Sequence, residues 1–168
     1  MLDKKIENAL NQQVNKEIWS SYLYLSMSYD LDNKGFEGMA SWFYIQSKEE
    51  FMHAERIMKF IGDRHGKVAL MPIDAVKQEW SSPQEAFEDT LKHERDVTAM
   101  FYEMVEMSMQ AKDFATQNMM KWFVDEQVEE ESNVSKILDK LRIINNDSAG
   151  LYSLDQQLGQ RQLVPLAV

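Results

Sequence analysis

Glu17, Glu50, His53, Glu94 and Glu130 are the residues of this chain best placed to do chemistry together. Each glutamate stands where an apolar residue belongs. Apolar residues spaced alternately four and three apart mark one stripe on each of four segments. The first stripe is Leu10, Val14, Glu17, Ser21 and Tyr24, and the second is Met39, Phe43, Gln46, Glu50, His53, Ile57 and Phe60. The third is Phe87, Thr90, Glu94, Val97, Phe101 and Met104, and the fourth is Met120, Phe123, Gln127, Glu130, Val134, Ile137 and Leu141. A single carboxylate in such a stripe is ordinarily a misjudged face or a side chain reaching out to water. One in every stripe is a pattern, and the chemistry it suits is metal binding. Buried carboxylates without counter-charge cost several kcal/mol each, and no lysine or arginine occupies these stripes. Two divalent cations balance four carboxylates, and His53 can ligate as a neutral imidazole. The spacing Glu50-x-x-His53 puts both side chains on one helix face a turn apart, able to hold the same ion. Glutamates from different helices can bridge two ions, so the expectation is a dinuclear site. His65, beside a helix-ending glycine, and His93, one position off its stripe, read as ordinary histidines.

The elements that must carry these residues follow from the same periodicity. Helices are expected over about 3–33, 36–64, 83–110 and 113–144, with a short fifth at 148–158. The breaks are Asn33-Lys34-Gly35, His65-Gly66, a segment with Pro72 and no helical period, and Asn145-Asn146. Ser82-Pro83-Gln84-Glu85 supplies a cap serine, a first-turn proline and a glutamate able to close a capping box. Leu151, Leu154 and Leu158 fall on one side of the fifth helix. Tight connections make hairpins of helices one and two and of three and four. The middle connection is too long for a turn, and at ~3.3 Å per residue it reaches ~50 Å. A helix of about 28 residues is ~42 Å long, so one crossover along the bundle is feasible. The expected fold is all-α: a four-helix bundle with a long crossover between the second and third helices. Measured from Lys34, Glu17 and Glu50 lie 17 residues before and 16 after; from Lys112, Glu94 and Glu130 each lie 18 away. Each pair is therefore level within ~2 Å and sits near mid-helix.

Composition bounds the rest. The 168 residues fit one domain with a sizeable core. Zero cysteines exclude a thiolate nucleophile, an iron–sulfur cluster or a rubredoxin-like module, and fit a reducing compartment. No apolar run approaches the ~20 residues of a membrane span, and residues 1–10 lack a signal-peptide core, so the expected location is cytoplasmic. A formal charge of −10 argues against nucleic acid and otherwise reads as solubility.

The combination of Glu17, Glu50-x-x-His53, Glu94 and Gln127-x-x-Glu130, one element per helix, resembles bacterial non-haem ferritins over about residues 1 to 158. That resemblance implies a ferroxidase centre in which Glu17, Glu50 and His53 hold one iron and Glu50, Glu94 and Glu130 the other, with Glu50 bridging. It implies a third iron position at Glu49, Glu126, Glu129 and Glu130, although the acidic run 125–131 alone would read as a solvated helix face. It puts Gln127 beside the pair as an orienting group, and Tyr24 and Trp122 nearby as redox-active aromatics that are otherwise plain core packing. It further implies Fe(II) as substrate, O₂ or H₂O₂ as oxidant, and a homo-oligomeric cage of twenty-four subunits storing hydrated ferric oxide. In that cage the fifth helix would line the four-fold axes, unless its leucine stripe folds back on its own bundle.

Two departures from relatives narrow the choice. Bacterioferritins carry a second Glu-x-x-His where this chain has Gln127 and Glu130. They bind haem through a methionine directly after the second-helix glutamate, where this chain has Phe51. Met52 comes one residue later, about 100° away around the helix, so no haem is expected. The apolar tail within 161–168 has no assigned role. The alternatives are a non-storing di-iron or di-manganese oxidoreductase, told apart by assembly size, and a metal-free helical scaffold, whose carboxylates would tolerate leucine.

Overall fold

The computed structural model describes residues 2–164, so residues 165–168 of the tail lie outside the described residues. Among these the chain forms five α-helices and no strand: α1 Lys4–Asn33, α2 Glu37–Asp63, α3 Pro83–Gln110, α4 Phe114–Ile144 and α5 Ser148–Leu158. Local chemistry starts most of them. Asp3 caps α1 by accepting from the amides of Lys5 and Ile6, Asp113 caps α4 through Thr116, and Asp147 caps α5 through Gly150. Ser82 caps α3 by accepting from the Glu85 amide at 3.2 Å. The return contact of the expected capping box differs: Glu85 accepts from the amide of Ser81 at 2.7 Å rather than from that of Ser82. At the end of α2 the left-handed residue is His65, with φ 58°, rather than the glycine that follows it.

α1 pairs closely with α2, and α3 with α4. The hairpin register is visible in two serine bonds from α1 to α2 carbonyls. Ser21 Oγ donates to Ser47 O at 2.7 Å and Ser28 Oγ to Ala40 O at 2.8 Å, so one strand of contacts rises as the other falls. The long connection then runs the length of α1. Asn11 donates to Lys67 O and accepts from Ala69 N, and Asn15 donates to Met71 O and Pro72 O. Further along, Ser26 donates to Lys77 O and Lys34 to Trp80 O. This crossover returns the chain to the end of the bundle where α2 began, so α3 starts there. The molecule is a four-helix bundle with one long crossover and a short fifth helix.

The residue at the N-cap of α2 is Phe36, which offers no side-chain cap. The cap comes from α5 instead: Asp155 accepts from the amides of Gly38 at 3.0 Å and Met39 at 2.8 Å. A carboxylate there satisfies two orphan N–H groups and complements the helix dipole. Leu154 and Leu158 are buried in the same core, so the fifth helix finds its apolar partner in its own bundle. Gly38 permits this approach, because a Cβ at that position would lie 1.8 Å from the Asp155 carbonyl oxygen. Gly38→Ala is therefore expected to lift α5 off the bundle while leaving the four long helices helical. Limited proteolysis checks it: cleavage between residues 145 and 164 should speed up by at least ~10-fold, as expected where the opening energy falls by more than about 1.4 kcal/mol.

The core is not continuous. One apolar cluster spans Leu23–Leu31 of α1, Met39–Phe43, Phe87, Val134–Leu141 and α5. A second spans Leu2–Val14, Ala54–Ile61, Val97–Met104 and Met119–Phe123. Between them, at mid-bundle on all four helices, lies a buried polar layer.

Candidate metal centre

That layer contains Glu17, Glu50, His53, Glu94 and Glu130, all buried, with Gln46 and Gln127. The fold concentrates them because each sits mid-helix on the stripe facing its neighbours. Ligand atoms of Glu17, Glu50 and His53 approach within 4.8 Å of one another, and so do those of Glu50, Glu94 and Glu130. The two groups share Glu50. His53 turns Nδ1 toward the cluster, 3.4 Å from Glu50 Oε2 and 3.7 Å from Glu17 Oε2.

Amides hold Glu17, Glu50 and Glu130 by one oxygen each, and an amide and a phenol hold Glu94 by both. Gln13 donates to Glu17 Oε1 at 2.6 Å. Gln46 reaches across from α2, donating to Glu50 Oε1 at 2.8 Å and to Glu130 Oε1 at 2.9 Å. Gln127 donates to Glu94 Oε2 at 3.0 Å and to the Glu94 carbonyl at 3.1 Å, and the Tyr24 hydroxyl donates to Glu94 Oε1. Glu130 Oε2 is buried and makes no hydrogen bond among the described residues. An orphaned carboxylate oxygen costs free energy unless a cation or proton satisfies it.

Electrostatics lead to the same conclusion. Burial, reinforced by Glu50 among other neighbours, pushes Glu17 up to about 7 and Glu94 up to about 8. Burial raises Glu130 well above the carboxylate range, with Glu94 and Glu50 adding to it. For Glu50 burial acts upward too, yet His53, Glu17 and Gln46 outweigh it and leave its pKa lowered. Burial disfavours a charged His53, but hydrogen bonds to Glu17 and Glu50 overcome it and raise the imidazole well above its usual value. Protons thus supply the positive charge that the layer needs when no cation is present.

Gln13 and Gln46 were not among the expected functional groups. Their signal was available, since each precedes a site glutamate by four residues, the spacing of an amide–carboxylate pair on one helix face. The acidic residues outside the core separate. Glu126 groups with His53 and Glu130, within the same 4.8 Å. Glu49 instead pairs with Arg161, and Glu129 is exposed. Trp122 packs against His53 with ring centres 5.6 Å apart and lies under the Arg56 guanidinium at 4.1 Å. Tyr24 is fully buried and stacks on Phe43 at 6.0 Å. His93 bonds Ser20 at 2.7 Å, outside the layer.

Residues 7–144 match the family described as ferritin-like domain. Over 161 residues the chain is 42% identical to the bacterial non-heme ferritin of Bacteroides fragilis strain 638R, covering 96% of this chain and all of that one. It is 39% identical to the bacterial non-heme ferritin of Staphylococcus aureus strain USA300, covering 96% of this chain and 97% of the relative. The open pore ferritin of Archaeoglobus fulgidus superposes with a TM-score of 0.96 at 45% identity, covering 96% of this chain and all of that one.

Proposed function

We propose, from the premise that this chain belongs to the ferritin family, that it oxidises Fe(II) at the mid-bundle carboxylate layer and stores the ferric product as hydrated oxide. The observation that carries this is the pair of ligand groups sharing Glu50. Glu17, Glu50 and His53 would hold one Fe(II), and Glu50, Glu94 and Glu130 the other. Glu130 Oε2 supplies the free lone pairs that a second ion needs. Each Fe(II) gives up one electron. Two irons held together therefore meet the two-electron reduction of O₂, with two protons, to H₂O₂. The protons that Glu17, Glu94 and His53 carry before metal enters are displaced as it binds.

The other groups position. Gln13 and Gln46 fix the rotamers of Glu17, Glu50 and Glu130 by holding one oxygen of each and leaving the other for iron, whereas Glu94 is held at both oxygens, by Gln127 and Tyr24, and offers iron its remaining lone pairs. Tyr24 touches Glu94 and is close enough to the irons' ligands to pass an electron inward. Glu126, with His53 and Glu130, is the best-placed member of a third iron position. Glu49 and Glu129 would join it only after Glu49 leaves Arg161. Assembly into a homo-oligomeric cage of twenty-four copies, in the cytoplasm, completes the proposal. No helix among the described residues is long and apolar enough to cross a membrane.

Aerobic Fe(II) additions followed by ferric absorbance and oxygen consumption test the chemistry. The first about two Fe(II) per chain should oxidise far faster than in buffer, at about two irons per O₂. Oxidation no faster than in protein-free buffer would remove the ferroxidase assignment.

A further inference from the structure

Beside the metal layer, between α2 and α4, opens a cavity of about 310 Å³ whose walls include Trp42, Gln46, Glu130, Lys136, Lys140 and Arg161. The chain is strongly acidic, with 28 acidic residues against 18 basic ones. Here the balance is inverted, because three cations face the cavity and, among the described residues, the only lining carboxylate is Glu130, itself part of the metal layer. Lys136 makes no hydrogen bond or ion pair among the described residues. Among the described residues Lys140 donates only to a neutral group, Gln157 Oε1 at 3.0 Å. Lys136 and Lys140 lie one turn apart on the same face of α4, where like charges repel unless an anion sits between them. Arg161 is held in place on the far wall. It pairs with Glu49, lies 4.4 Å over the Trp42 ring and donates to the Trp42 carbonyl at 3.4 Å.

We propose that this cavity binds a small multivalent oxyanion of the phosphate class, gripped by Lys136, Lys140 and Arg161 against the Glu130 edge of the metal layer. The size suits it, since 310 Å³ holds such an ion with part of its water shell. The place gives it a task that rests on the oxidation proposed above. A ferric ion bound at Glu130 prefers anionic oxygen ligands, and the oxyanion presents them on the side of the layer that opens outward. Ligand exchange from Glu130 to the oxyanion then moves iron off the centre with no change in its oxidation state, freeing the site for the next Fe(II).

Calorimetric titration of inorganic phosphate into the full-length, metal-free protein at low ionic strength tests the site. About one phosphate per chain is expected, and Lys136→Ala with Lys140→Ala should weaken it at least ~10-fold, two charge-assisted contacts being lost. Arg161→Gln should weaken it as well, whereas Lys92→Ala with Arg95→Ala, on another face, should leave it unchanged. No binding to the unaltered protein, or equal affinity in the Lys136/Lys140 variant, overturns the proposal. Zn²⁺ stoichiometry measured on the same samples keeps the two ideas apart. Loss of metal binding in the unaltered protein speaks against the centre, whereas phosphate failing while Zn²⁺ binds speaks against the cavity alone.

Discussion

Glu50→Ala is expected to slow the rapid phase of Fe(II) oxidation by at least ~100-fold, equivalent to about 3 kcal/mol of lost barrier reduction. Glu50 is the residue shared by both ligand groups, so its loss removes a ligand from each ion at once. It is also the carboxylate whose pKa is lowered, hence the one already ionised when metal arrives. The fold should survive. Without Glu50, His53 loses its closest anion and can revert to a neutral imidazole, which burial favours. Thermal melts distinguish the two effects. Metal should raise the melting temperature of the unaltered chain and leave that of Glu50→Ala almost unmoved. Asp139→Ala, an exposed carboxylate on α4, should behave as the unaltered chain does. Oxidation at the original rate in Glu50→Ala would sink the assignment of the bridge.

Metal binding should weaken steeply on acidification, by at least ~10-fold in Zn²⁺ affinity between pH 8 and pH 6. Burial holds Glu17 at about 7 and Glu94 at about 8, so both carry protons through much of that window, and cations must expel them. The stability of the metal-free protein moves in the opposite sense. A carboxylate with a raised folded pKa contributes stability that is full below the unfolded value near 4.5 and is lost as pH rises through the folded value. For Glu17 the loss is about 3 kcal/mol between pH 4.5 and 7, from a shift of that size. His53 acts in the same direction above pH 6.5, its ordinary value, because its folded pKa is raised. Glu50, being depressed, has already made its contribution above 4.5 and adds no slope here. The gain in melting temperature on adding Zn²⁺ should therefore grow from pH 5.5 to pH 8. Calorimetry in buffers of different ionisation heat should register proton release on binding. A flat affinity from pH 6 to pH 8 with no buffer dependence would contradict the protonated layer.

The long helices and their pairing were legible because their signals are local and periodic. Stripes of apolar residues define faces, and a connection too long for a turn implies a crossover. The layer was legible for the opposite reason: carboxylates broke the apolar pattern at matched heights, and only the charge argument explains such a break. What stayed hidden depends on residues far apart in the chain. Asp155 caps α2 from more than a hundred residues away, and no local pattern marks it as a cap. Arg161 reaches Glu49 across a similar separation and draws that glutamate away from the other acidic residues. Gln46 stood on its stripe in plain view. Its role as a bridge between Glu50 and Glu130 needed the α2–α4 approach, which no single-helix pattern contains.

Iron retained per chain after aerobic Fe(II) loading, measured together with particle size on gel filtration, tests the central claim most directly. The predicted result is a very large assembly holding many more irons per chain than the about three that the clustered carboxylates and His53 could ligate. A small species carrying about two irons per chain would contradict storage and leave a di-metal oxidoreductase in its place.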